Sequence, residues 1–228
     1  MDKKLIAKHA TYIFNIVTNG GCSGYFLSGL INQFILRQTL EKLNINDYMF
    51  SGNEYNEYKK SVYYPLVNLQ HYNRKNNDFF KIENDGIKLE DFLSFSKNIF
   101  IACYDEDTAN FTHFCSVIKH SHLEYDSLLE EHKFRSDGSA KEPASLNHYE
   151  MIKDLADRMI KINPYNNDIF DYRKLVMEAD DDTIKRFCSI TNTDKYFAAI
   201  KNSIIEYHNR NLNLIEKHRQ ILVDKRNS

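Results

Sequence analysis

The sequence contains few of the residues that interrupt helices or cross-link chains. Its 228 residues include no Trp and only 7 Gly, 3 Pro and 4 Cys. A low content of Gly and Pro favours long helices, because these residues most often end regular structure. The cysteines are far apart and form no Cys-x-x-Cys pair, which excludes a zinc ribbon or a thioredoxin-like site. We therefore expect free thiols in a reducing cytosol at all four positions: Cys22, Cys103, Cys115 and Cys188.

Signatures of common catalytic families are also missing. The chain has no Walker segment, no complete Gly-x-Gly-x-x-Gly, no His-Glu-x-x-His and no Gly-x-Ser-x-Gly. Nucleotide hydrolysis, zincin proteolysis and esterase chemistry are therefore not expected. The 30 basic and 32 acidic residues give a net charge of −2, so the whole protein has no electrostatic attraction to nucleic acid or anionic lipid. We predict no bound cofactor, no membrane partner and a cytoplasmic location.

The longest uncharged stretch of the chain runs from His9 to Leu36. A secretory signal would need a longer apolar core than Ala10–Val17, which Asn15 interrupts. A membrane span would be broken in its middle by the polar and glycine residues at 19–24. The apolar residues before that break follow helical spacing instead, and a second helix is predicted from Phe26 to about Leu43. We predict a buried helical hairpin, whose uncharged surface forms either the core or an interface with a partner.

The segment Asn19-Gly20-Gly21-Cys22-Ser23-Gly24 lies between these two predicted helices. A glycine-rich segment in front of a helix can seat an anion on its free backbone N–H groups. No Lys or Arg accompanies this segment in the neighbouring sequence. We therefore interpret it as a tight turn between helices, in which Asn19 and Gly20 end the first helix.

The rest of the chain is predicted to be largely helical. Alternating apolar residues on either side of Asn84-Asp85-Gly86 indicate a β-hairpin over 79–90. The fold class is thus mainly α, a bundle-like domain of several helices with one small β-hairpin. Residues 1–134 form an N-terminal helical region that includes the hairpin, and 146–228 form a C-terminal helical region; loop 135–145 joins them into one compact unit. Helices are predicted at 54–64, at 92–133 with a break near 105–107, from Asn147, at 169–179 and 183–190, and from Thr193 or Asp194 for about 30 residues.

One set of residues has the spacing of a helical metal site. His113, His120 and Glu124 are seven and then four residues apart, so they share one face of a predicted helix. The spacing of four between a histidine and a carboxylate occurs in metal sites of helical bundles. Further ligands from a second helix would be needed. We therefore favour a solvated polar face and keep these three residues as weak metal candidates.

The C-terminal helix carries a second candidate site. His208, Arg210 and His218 provide the groups that a metal-independent ribonuclease needs, an acid or base and a cation beside the phosphate. This cluster resembles the HEPN helical ribonucleases of toxin and antiviral-defence systems, whose motif is an Arg, often followed by Asn, and a His after four to six intervening residues. Arg210-Asn211 matches its start. Seven residues separate Arg210 from His218, which turns His218 about 80° away from Arg210 around an ideal helix.

Two functional hypotheses follow from these features. The favoured one is a non-enzymatic helical protein that binds another protein as an inhibitor, adaptor or regulator, and it depends on the uncharged hairpin being helical. The alternative is a HEPN-like ribonuclease, with RNA as its partner and His208, Arg210 and His218 as its catalytic residues. A homo-oligomer is compatible with both. On balance the sequence favours a protein that is not an enzyme.

Overall fold

The protein contains a central sheet that is mostly parallel. A computed structural model describes residues 14–19, 22–42, 67–73, 78–79, 97–120 and 147–227. The strands are β1 (Phe14–Asn19), β2 (Val67–Asn73), β3 (Asp78–Phe79), β4 (Lys97–Ala102) and β5 (Asn167–Asp171). Their order across the sheet is β3-β2-β1-β4-β5. The pairs β1–β2, β1–β4 and β4–β5 are parallel, whereas β2–β3 is antiparallel.

Helices follow most of these strands along the chain. They are α1 (Gly24–Lys42), α2 (Glu106–His120), α3 (Asn147–Ile162), α4 (Asp181–Ile190) and α5 (Phe197–Asn227). A π-helical turn at Arg173–Met177 directly follows β5, and a short 3-10 turn at Asp194–Tyr196 leads into α5. Within the ranges given above, no helix combines the length and the apolar character that a membrane span requires.

Both faces of the sheet are covered, so its central strands are buried. On the first face, Ile16, Ile99 and Ile101 belong to a large apolar cluster with side chains of α1, α4 and α5. On the second face, Val17 and Phe100 pack against the apolar side of α3. Alternate residues of each strand thus enter opposite cores, as the pleat of a strand requires. Parallel sheets need such double cover, because both of their faces are apolar.

The predicted mainly α fold class is therefore wrong, and the protein is a mixed α/β protein. The first predicted helix of the hairpin contains β1, the long predicted helix at 92–133 contains β4, and the predicted helix at 169–179 begins inside β5. Short runs such as Ile99–Ala102 are apolar on both faces. Their periodicity therefore cannot separate a buried strand from a buried helix.

Several helices were predicted correctly. The second helix of the hairpin is α1, the helix from Asn147 is α3, the helix at 183–190 is α4, and the final long helix is α5. The predicted hairpin at 79–90 lies almost entirely outside the described residues, as do the helix at 54–64 and loop 135–145. Phe79 does belong to a strand, β3, but this strand pairs with the preceding strand β2, where Phe79 lies opposite Tyr72. Strands from both predicted regions meet in one sheet, because β5 pairs with β4.

A row of three buried asparagines crosses the second face of the sheet, and we call it the asparagine ladder. The Asn15 side-chain amide donates to Oδ1 of Asn98 at 2.9 Å, and that of Asn98 donates to Oδ1 of Asn167 at 2.7 Å. Asn167 in turn donates to the carbonyl oxygens of Met159 and Asn163, at 3.0 and 2.7 Å. The ladder therefore joins β1, β4 and β5 to the carboxyl end of α3, where helix carbonyls lack intrahelical partners.

Candidate functional site

The strand order creates a topological switch point between β1 and β4. From β1, the chain passes through α1, which covers the first face, to β2, which lies on one side of β1. The connection from β4 to β5 on the other side ends with α3, which covers the second face. The chain therefore leaves β1 and β4 for strands on opposite sides of this pair, while α2, which directly follows β4, packs through Ala109 and Phe111 against the same first face as α1. In open α/β sheets, ligands bind outside the carboxyl ends of the strands, at such a reversal of the strand order.

Three chain segments meet at this carboxyl edge of the sheet. Cys22, after β1, places its Sγ 3.6 Å from Sγ of Cys103, directly after β4. Ser23 Oγ lies 2.9 Å from the hydroxyl of Tyr172, directly after β5. These contacts join residues that are between 81 and 149 positions apart in sequence. The parallel sheet thus assembles one site from the ends of β1, β4 and β5.

The connection from β1 to α1 is a strand-to-helix turn, which corrects its interpretation as a turn between two helices. Ser23 immediately precedes α1 and has φ 56°, the left-handed region that residues other than glycine seldom enter. Its carbonyl accepts the first helical hydrogen bond, from Leu27 N at 2.9 Å. The first turn of α1 contains no acidic residue. The positive end of the α1 dipole therefore lies beside the switch point, and the turn itself contributes no carboxylate that would oppose it.

The connection from β4 to α2 is fixed by Asp105. Thr108 donates both its backbone N–H and its hydroxyl to the Asp105 carboxylate, each at 2.8 Å, and Arg173 approaches the same carboxylate at 3.3 Å. Partial burial acts to raise the pKa of Asp105. The hydrogen bonds from Thr108 and the charge of Arg173 outweigh it and hold that pKa below its usual value. Asp105 therefore caps the amino end of α2 and, through Arg173, also contacts the segment that follows β5.

We expect the Asp105→Ala variant to lose about 1–2 kcal/mol of unfolding free energy at neutral pH, because it loses the cap of α2. The Asp105→Asn variant keeps a capping oxygen and loses only the charge. Since the folded pKa of Asp105 is lowered, its charge stabilises the protein above the unfolded value near pH 3.9 and stops doing so as the pH falls. The stability difference between wild type and Asp105→Asn should therefore shrink below pH 4 in urea titrations. A difference that stays constant with pH would contradict this assignment.

The end of β5 adds a second carboxylate and a cation to the site. Burial raises the pKa of the Asp171 carboxyl group, and the neighbouring Asp105 charge acts in the same direction. Asp171 accepts a hydrogen bond from the backbone of Arg173 at 2.9 Å. The Arg173 guanidinium contacts Glu178 at 3.4 Å in addition to Asp105. Tyr104 is 44% exposed and lies between Cys103 and Asp105, so the edge of the sheet also offers an aromatic ring.

The predicted ribonuclease residues lie elsewhere, on α5. His208 is half-buried, its ring lies 5.4 Å from that of Phe111 on α2, and burial lowers its pKa. Its buried Nδ1 has no hydrogen-bond partner. Arg210 is exposed, and two residues along a helix turn it about 200° away from His208. The backbone of His218 belongs to α5, while its side chain lies outside the described residues. The described geometry therefore does not bring His208 and Arg210 together.

The weak metal candidates are not assembled into a site by the described residues. His113 and His120 belong to α2, as their helical spacing predicted, but the description does not extend to their side chains. Glu124 lies outside the described ranges. Among the residues whose side chains are described, no group of three His, Cys, Asp or Glu could hold a metal ion.

Sequence reasoning missed Asp105, Asp171 and Arg173 as components of one site. Each lies within three residues of the end of a buried strand, and polar residues directly after an apolar run are a usable signal once that run is recognised as a strand. Comparisons with other proteins offer no independent guide: no protein-family model matches the chain, and neither the curated proteins nor the solved structures gave a significant match.

Proposed function

We propose that the protein binds a phosphate-bearing small molecule, of the nucleotide class, in the crevice between the carboxyl ends of β1 and β4. The observation that carries the proposal is the strand order β3-β2-β1-β4-β5, whose switch point coincides with the glycine-rich connection from β1 to α1. In doubly wound sheets the first strand-to-helix turn approaches the phosphates of the ligand, and its glycines allow that approach.

Electrostatics support an anionic ligand at this turn. The α1 dipole is equivalent to about half a positive charge at its first turn, and no acidic residue of that turn opposes it. The surroundings are buried, since Cys22, Ser23 and Phe26 are all shielded from solvent. Attraction between a phosphate and backbone N–H groups is stronger in such a site than in water. A phosphate seated here also needs no Lys or Arg side chain within the turn.

Calorimetric titration of the full chain tests this proposal. The ligands are nucleoside mono-, di- and triphosphates, the corresponding nucleosides without phosphate, and inorganic phosphate. We expect at least one nucleotide to bind about ten-fold or more tightly than its nucleoside, which corresponds to about 1.4 kcal/mol. If every nucleoside binds as tightly as its nucleotide, or if no phosphorylated compound binds, the proposal is wrong.

The two hypotheses from the sequence stay predictions, with different support. The protein-binding hypothesis depended on a helical hairpin at 9–36, and β1 now accounts for part of that uncharged segment as sheet core. What supports a protein partner is the exposed apolar pair Ile162 and Tyr165, near the amino end of β5. The ribonuclease hypothesis keeps its residue types on α5, but His208 and Arg210 face different directions.

A further inference from the structure

Two thiols are in contact at the switch point, one on each connection that borders the crevice. The Sγ atoms of Cys22 and Cys103 are 3.6 Å apart, and the two residues are 0% and 2% exposed. Both cysteines are free. The bond in a disulfide is about 2.05 Å long, so the two sulfur atoms need to approach by about 1.5 Å to form one. Neither cysteine is itself paired in a strand, since β1 ends at Asn19 and β4 ends at Ala102.

We propose that Cys22 and Cys103 form a reversible disulfide that constrains the turn before α1 and thereby regulates binding. The cross-link ties the β1–α1 connection, which carries the proposed phosphate seat, to the β4–α2 connection. Because Cys22 moves toward β4 when the bond forms, the adjacent Ser23 is displaced as well. The regulatory half of this inference rests on the proposed function, whereas the formation of the disulfide does not.

The oxidant is a peroxide, which balances the reaction. One thiol attacks hydrogen peroxide, the O–O bond breaks, and the products are a sulfenic acid and one water molecule. The second thiol then attacks the sulfenic sulfur, a second water leaves, and the S–S bond forms. Two thiols are oxidised by the loss of two electrons and two protons, and one peroxide is reduced to two waters. A small-molecule dithiol reverses the reaction by thiol–disulfide exchange.

The environment of the pair slows this oxidation. The contact with Cys22 and the burial of the site raise the pKa of the Cys103 thiol far above its usual value. Its thiolate is therefore scarce at neutral pH, and thiolates are the reactive species. We consequently expect the pair to remain reduced in air and to be oxidised by peroxide more slowly than an exposed thiol.

Mass spectrometry of the full-length protein decides whether the disulfide forms. Reduced protein is treated with hydrogen peroxide, its remaining thiols are alkylated, and it is digested without reduction. We expect a peptide that joins Cys22 to Cys103, its loss in Cys22→Ser and Cys103→Ser, and its retention in the control Cys188→Ser. Absence of this peptide from the folded wild-type protein, or a dominant cross-link between other cysteines, overturns the inference.

Calorimetry on the same samples decides whether the disulfide regulates binding. Oxidised wild type should bind the phosphorylated ligand about ten-fold more weakly than reduced wild type, and dithiothreitol should restore the affinity. In Cys103→Ser, peroxide should leave the affinity unchanged. Equal affinity of oxidised and reduced wild type overturns the regulatory role. If the reduced protein binds no phosphorylated compound, the proposed function fails, while the joined peptide still decides the assignment of the disulfide.

Discussion

Replacing Asn98 with alanine should lower the free energy of unfolding by about 3–5 kcal/mol, because it opens the middle of the asparagine ladder. Asn98 is fully buried, accepts a hydrogen bond from Asn15 and donates one to Asn167. The truncation leaves the side-chain amide of Asn15 without its acceptor and Oδ1 of Asn167 without its donor, and both groups are buried. Each buried polar group left without a partner costs about 1–3 kcal/mol. The small cavity that remains adds to this loss.

Urea denaturation measures this effect, with Asn202→Ala as the matched control. Asn202 is exposed on α5, so the same chemical change there should alter the unfolding free energy by less than about 0.5 kcal/mol. The double variant Asn15→Ala/Asn98→Ala should be more stable than the sum of the two single losses predicts, because the two residues share one hydrogen bond. A loss of less than about 1 kcal/mol in Asn98→Ala would mean that the ladder contributes little to stability.

The asparagine ladder also explains why the strands were not recognised in the sequence. Asn15 interrupts an apolar run and was interpreted as a break in a possible signal core, although in β1 it is a buried polar residue with a cross-strand partner. Its partner Asn98 and the next residue of the ladder, Asn167, are 83 and 152 positions further along the chain. A single sequence does not indicate that such distant residues are neighbours. The residue that argued against a signal core is instead one whose side-chain amide reaches its acceptor through the parallel register of β1 and β4.

The helices were predictable because each one carries its own evidence. In α4, Ile184, Phe187 and Cys188 are buried at helical spacing, and the side chain of Asp180 caps the helix by accepting from Thr183 N. These signals lie within a few residues of one another and do not depend on the rest of the fold. The strands of a doubly covered sheet lack an equivalent local signal, because both of their faces are apolar.

One part of the candidate site, the turn before α1, was predictable from the sequence. The glycine-rich segment at 19–24 was noticed, and so was its position before a helix. Its interpretation depended on the element that precedes it. Because that element is a strand, the segment is the first strand-to-helix connection of a doubly wound sheet and not a turn between two helices. The parts contributed by Cys103, Asp105 and Arg173 required the order of the strands, which brings the ends of β4 and β5 to the same edge. That order is a property of long-range pairing and not of local pattern.

The largest effect on ligand binding is expected from a negative charge at Ser23. The variants Ser23→Asp and Ser23→Asn have side chains of the same shape, both residue types tolerate positive φ, and both are good helix N-caps. They differ in one charge at the start of α1, where a bound phosphate would lie. Repulsion between two negative charges about 6–8 Å apart, at an effective dielectric constant of about 20, is worth about 2–3 kcal/mol. Ser23→Asp should therefore bind the phosphorylated ligand roughly 30- to 150-fold more weakly than Ser23→Asn.

Comparing these two variants separates charge from shape, which a single substitution of this buried serine cannot do. Both remove the hydroxyl that contacts Tyr172 and both add the same bulk, so any loss that they share measures the packing of the turn. Tyr172→Phe provides the complementary control, since it removes that hydrogen bond without changing Ser23. Calorimetry at low and high salt should show the difference between the Asp and Asn variants decreasing as ions screen the added charge. Equal affinities of the two variants at low salt would place the phosphate away from the α1 terminus, and the proposed ligand site would then have to be abandoned.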